Sequence, residues 1–324
     1  MEGMVRKAAI VLSGIILLTT ASGCEQMLAT HTPMIFASSL SEPEAPVLLP
    51  DGSWLVAEMG PGRGSITHIS ADGKTRRSIA KVERPNGLAV DKQGNIWVAE
   101  SMNPPSLQKI TMDGNVEVFS KEYRGAPFLF PNDLAFGPDG ALYMTDSGVK
   151  LNDLVRDGKL RSDYMDIKTD GCVFRIDLDT KAIEKIDSGL KFANGIAFGP
   201  DNALFVGEMF TGKVYRYPWT DGKVKGERAF FGSVFDGNPA KVFNGPDGMK
   251  FGKDGNLYVA VYGLGVVTVL RRDGSILRHI PTQGSKPTNM AFGAPGEKKI
   301  YVTEDDTGVL QAIDVETSGL PLHR

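Results

Sequence analysis

The sequence predicts an all-β fold, a six-bladed β-propeller with four-stranded antiparallel blades and a ring closed by an N-terminal strand. Three observations predict it. A hairpin-like segment recurs six times along the chain. Its turn residues are spaced 42, 46, 62, 53 and 41 apart, which suits about four short strands per unit. Glycine makes up 38 of 324 residues and is concentrated in short turn signals between apolar runs.

Composition narrows the function classes. Hydrophobic residues at 41% and charged residues at 23% are an ordinary soluble globular mixture with enough apolar material for a large core. A net charge of -3 and a pI near 5.9 lack the basic excess of a nucleic-acid binder. No nucleic-acid partner is expected, and the propeller is expected to be a monomer.

The first element is an export signal. Arg6 and Lys7 precede an apolar run over 8–18, and Ala21-Ser22-Gly23-Cys24 closes it. The run is too short to span a bilayer and has the proportions of a signal peptide. Residues 1–23 therefore read as a lipoprotein-type signal, Cys24 as the lipidated first residue, and 24–33 as a polar tether. The implied location is the bacterial cell envelope, with membrane contact through the N-terminal lipid only. Cys172 is then left without a partner, so no intramolecular disulfide forms. None of His31, His68, His279 and His323 neighbours Cys172 or another His, which leaves a Cys/His zinc site without support.

The propeller domain is expected over 34–324. Its six hairpins read 43–59, 85–101, 131–147, 193–209, 246–262 and 287–305, with turns at Gly52, Gly94, Gly140, Asn202, Gly255 and Gly296. Third strands follow at 173–176, 214–217 and 267–271, and the last unit has one near 309–314 before the chain finishes. Its missing fourth strand is expected from 34–38, which would lock the ring and cover two sheet edges.

Eight residues before each turn stands one polar side chain: Glu44, Asn86, Asn132, Asn194, Asp247 and Thr288. Each opens the first strand of its unit, the innermost strand in a propeller, so the six should ring one mouth of the central channel. Asn86 and Thr288 also suit a local turn. Fourteen residues on, the second strand returns to the same face at Glu58, Glu100, Asp146 and Glu208, and the last unit places Glu304 there. These acids either form an outer collar beside the substrate or accept backbone hydrogen bonds in the adjoining loops. Two carboxylates and two amide carbonyls meeting on an axis need a cation. All-oxygen ligation suits Ca2+, ahead of Mg2+, Mn2+ or Zn2+. Such a pocket fits hydrolysis or hydration, with a cation polarising a carbonyl.

These segments resemble the regucalcin (senescence marker protein) and gluconolactonase family of six-bladed propellers, and more distantly the paraoxonases. The resemblance covers 40–316 and rests on Glu44 in PEAPV, Asn132 in PNDLAF, Asn194 in FANGIAFGPD and Asp247 in GPDGMKF. It implies that these four hold a catalytic calcium, that Asp247 is the general base, and that the substrate is a lactone or ester. Phe130 stands where sugar-lactone members place an arginine, which favours a less polar substrate; Arg124 is the nearest candidate for a replacement charge. The paraoxonase His pair has no counterpart, so acid–base work falls to carboxylates, Glu208 and Glu100 being alternatives to Asp247. Expected substrate-lining residues are Asn86, Glu100, Phe130, Asp146, Glu208 and Thr288. The insertion at 147–171 is either a lid over the pocket or a charged, solvated excursion. The alternatives on the same fold are a ligand- or protein-binding propeller without turnover, and strictosidine-synthase-like or lyase chemistry.

Overall fold

A computed structural model describes residues 31–156, 159–236 and 243–324. The predicted signal segment, Cys24 and most of the tether lie outside them. Six four-stranded antiparallel sheets follow one another along the chain. Their first strands are Pro43–Leu48, Pro85–Val90, Pro131–Phe136, Ala193–Phe198, Gly245–Phe251 and Pro287–Phe292. Each of these touches the first strand of the blade before it and of the blade after it, the sixth returning to the first, so the sheets close into a ring around a channel. The fourth strand of blade six is Met34–Ala37, paired antiparallel with Val309–Asp314 through Met34–Ala312 and Ile35–Gln311. The expected closure is what the fold shows.

The local reasons are in the hairpins. All six turn anchors adopt left-handed backbone, from Gly296 at φ 88° to Asn202 at φ 63°, which glycine and asparagine tolerate best. An acid beside the turn then accepts its amide hydrogens; Asp91 takes those of Gln93 and Asn95, Asp254 that of Asn256.

Burial follows the ring. Six apolar clusters each lie between neighbouring blades, such as Leu55 and Ile66 of blade one with Leu88 and Val98 of blade two. The closing seam packs Ala37, Tyr301 and Leu310 against Trp54 and Ile69. A seventh cluster, built on Phe130, Leu154, Phe192, Met209 and Phe210, stands over the channel mouth.

Between the first and second strands every blade breaks register within a residue of its ring position, after Glu44, Pro85, Pro131, Ala193, Pro246 and Pro287. In blades two to six the ring residue and the one after it together face a single residue of the second strand; in blade one the bulge falls one residue later, on Ala45 and Pro46. A bulge of this kind re-aims a side chain while the strand continues. Gly195, next to Asn194, lets neighbouring bulges close up around the channel: an added Cβ would collide with the carbonyl oxygen of Asp247.

Candidate metal centre and substrate cavity

The ring residues meet at one mouth of the channel. A cavity of about 530 Å³ there is lined by Glu44, Asn86, Asn132, Asn194, Asp247 and Thr288 together. Glu44, Asn132, Asn194 and Asp247 are almost wholly buried.

The four predicted ligands differ from the other two in what satisfies them. Asn132 donates its amide to Ser147 Oγ at 3.0 Å, and Asn194 points its amide at Met209 Sδ, 3.5 Å away. Both carbonyl oxygens, Asn132 Oδ1 and Asn194 Oδ1, are buried without a partner. An orphaned buried oxygen is costly, and native proteins rarely leave two together without a purpose. Asn86 donates its amide in the same way, to Ser101 Oγ at 3.4 Å, but its carbonyl oxygen is not among the buried unpartnered atoms. The Thr288 hydroxyl bonds the Pro43 carbonyl at 2.7 Å and Thr303 Oγ1 at 2.8 Å, so it ties blade six to blade one.

The carboxylates carry the complementary strain. Burial and the nearby Asp133 push the Glu44 carboxyl up to about 8. Asp247 is raised well above the usual carboxylate range by burial, Glu44 and Asp133, in that order. Two buried acids that resist ionisation beside two unpaired carbonyls form an all-oxygen donor set of the kind that would suit a divalent cation. Among the described residues no three His, Cys, Asp or Glu side chains cluster as a metal site; this set mixes two carboxylates with two amides.

The outer acids do not face the cavity. Glu100 accepts the backbone N–H groups of Glu83, Arg84 and Met102. Asp146 accepts those of Leu129, Phe130 and Gly148, and Glu208 accepts that of Lys191 together with the hydroxyls of Thr211 and Tyr215. Glu100, Asp146 and Glu208 thus fasten the end of each second strand to the loop that enters the blade. They are corrected from substrate-lining residues, and from alternative bases, to loop fasteners. Phe130 does line the cavity.

Four cavity or near-cavity residues were not read from the sequence. Asp133 lies one position after Asn132, buried, its oxygens accepting the Leu134 and Ile196 amides. Asp305 and Tyr262 line the cavity one residue beyond the collar positions, and the Tyr262 hydroxyl donates to Asp305 Oδ2 at 3.3 Å. Arg84 lines it too, its guanidinium 5.6 Å from the centre of the Phe130 ring and its Nη1 buried without a partner. Arg84 stands two residues before Asn86, as Phe130 does before Asn132, and that shared offset was the available signal. Arg124 stacks on Tyr123 and is not part of the lining. Cys172 is free and buried, its thiol pushed up to about 12 by burial.

The insertion resolves into a short helix, Leu151–Leu154, and a small two-stranded hairpin. Leu151, Leu154, Val155 and Leu160 face the cavity, while charged pairs such as Arg161–Asp163 stay at the surface.

Known proteins share both the fold and the sequence pattern. A gluconolactonase of Zymomonas mobilis is 28% identical over 294 residues, covering 84% of this chain and 79% of its own. The diisopropyl-fluorophosphatase of Loligo vulgaris is 27% identical over 242 residues, covering 72% and 73%. The crystal structure of regucalcin from Agrobacterium tumefaciens, described as a calcium-binding protein, superposes with a TM-score of 0.72 at 17% identity, covering 91% of this chain and 98% of its own. Residues 64–305 match the family model described as the SMP-30/gluconolactonase/LRE-like region, and the chain belongs to that family.

Proposed function

We propose that this protein is an exported, divalent-cation-dependent hydrolase that opens a lactone or cleaves an ester. The observation that carries the reading is the pair of orphaned Asn132 and Asn194 carbonyl oxygens beside two buried carboxylates in one cavity. Glu44, Asn132, Asn194 and Asp247 would hold the cation. Two formal negative charges balance a dication, and oxygen donors alone favour calcium. When bound, the cation supplies positive charge to a carbonyl oxygen.

The chain's own residues do the rest. Asp247 takes the proton of the attacking water, provided one of its oxygens stays free of the cation. Asp305, its carboxyl pushed up to about 6 by burial and by Glu42, is a third carboxylate facing the same cavity. The insertion's apolar residues keep bulk water from the reacting carbonyl. Gluconolactonase and lactonase relatives support lactone opening as the reaction class.

Stripping the soluble propeller with a chelator, then restoring calcium and following acid release from lactones and aryl esters, tests the proposal. Turnover should vanish and return. Asp247→Asn should lower kcat by at least about 100-fold; full turnover in that variant would remove Asp247 from the role. Calcium binding with no hydrolysis would favour a binding module instead. The envelope location is part of the same proposal: a Cys24→Ala chain should fail to incorporate labelled fatty acid and should leave the membrane fraction.

A further inference from the structure

Of the residues standing two positions before the ring, four line the cavity, and they divide it by polarity. Lys286 and Arg84, in blades six and two, are cationic. Phe130 and Phe192, in blades three and four, are aromatic, and their rings meet edge to face at 5.7 Å. The charged side is continued by Asp305 and by Glu42, which lies 4.0 Å from Arg84. On the aromatic side Phe192 stacks on Phe210 at 5.0 Å, Met209 fills in beside them, and Leu154 closes the wall from the insertion. Phe130, Phe192, Met209 and Leu154 are each buried to 4% exposure or less, so this wall is packed and preformed.

We propose that the substrate is a lactone or ester carrying a hydrocarbon arm, which lies along Phe130, Phe192, Met209 and Leu154, while its polar edge faces Arg84. The proposal rests on the hydrolase reading and narrows its substrate class. A polyol turned toward the aromatic wall would give up hydrogen bonds to water and find no protein partner there. A hydrocarbon arm loses nothing by leaving water and gains from burial. The unpartnered Arg84 Nη1, at the edge of the aromatic wall beside Phe130, offers a hydrogen bond to an oxygen on the substrate's polar edge. Polarity at this position divides by blade rather than alternating, so the site distinguishes two flanks of a ligand centred on the ring.

The test uses three six-membered lactones with the calcium-loaded protein: δ-valerolactone, δ-decalactone and D-glucono-δ-lactone, with spontaneous hydrolysis subtracted. The expected kcat/KM for δ-decalactone is about 100-fold or more above that for δ-valerolactone, and above that for the sugar lactone. In Leu154→Ala and in Phe192→Ala the decalactone-to-valerolactone ratio should fall about tenfold. A ratio taken on one preparation is independent of the fraction folded, so poor folding of either variant does not obscure it. A sugar lactone turned over as well as δ-decalactone, or ratios unchanged in both variants, overturns the hydrocarbon seat and leaves the hydrolase standing. No turnover of any of the three overturns both readings.

Discussion

Asp305 shows how one side chain can report on the cavity. It is largely buried, one oxygen accepts from Tyr262, and Oδ1 has no partner. Burial and Glu42 raise it to about 6 from an ordinary value near 3.8, with Lys286 and Arg84 opposing. An acid whose folded value is raised costs no stability below its unfolded value and an increasing amount as pH rises through the window up to the folded value. Asp305→Asn should therefore melt higher than the parent at pH 8, by about 1–2 kcal/mol, and level with it at pH 4; equal stability at both pH values would place the carboxyl in open water. At this scale the sequence was legible wherever a residue recurs in phase, which is why Glu44, Asn132, Asn194 and Asp247 could be named before any fold was seen. Asp133, Asp305 and Arg84 stand one or two positions off that phase, and their roles depend on neighbouring blades that a single repeat does not reveal.

Among the strands and loops, the outer acids are what hold the cavity's rim. Asp146 satisfies three backbone amides with one carboxylate, so Asp146→Ala strands three donors in a buried place. We expect a loss of about 2–4 kcal/mol in denaturant unfolding, with calcium affinity altered little where the protein remains folded. A calcium affinity that collapsed in a fully folded variant would return the residue to the site. The sequence placed these acids on the correct face of the correct strand, but it could not say which way a carboxylate turns. That choice is made by the loop amides that arrive from the end of the preceding blade. The insertion was ambiguous for a similar reason. Its charges dominate the composition, while the few leucines that decide its orientation count only once the aromatic wall beneath them exists.

Across the whole molecule, the proposed cation would be coupled to closure of the ring. With Glu44 and Asp247 buried and repelling each other, a ligand that binds only the folded state adds RT ln(1 + [L]/Kd), about 2.7 kcal/mol at a hundredfold excess over Kd. Calcium should raise the melting temperature of the chelator-treated protein by several degrees and do little for Asp247→Asn. A melting point indifferent to calcium in the parent would argue against a cation between the carboxylates. The sixfold architecture and its closure were legible because turn spacing, alternation and a leftover strand at one end all required the same ring. The register breaks were not, since a polar residue opening a strand reads equally as a turn and does not by itself mark a bulge.

That closure also sets an order of events during synthesis. Among the described strands Met34–Ala37 leaves the ribosome, and any export channel, first, yet its partner Val309–Asp314 leaves last. Through nearly the whole of translation the emerging chain carries an unpaired leading segment, and five or more blades must wait with an open seam at Trp54. A stalled chain ending before residue 309 should therefore be cut readily by protease near its N-terminal end, whereas the released chain resists. The strand Val309–Asp314, arriving near the end of synthesis, is what turns a row of blades into a closed ring.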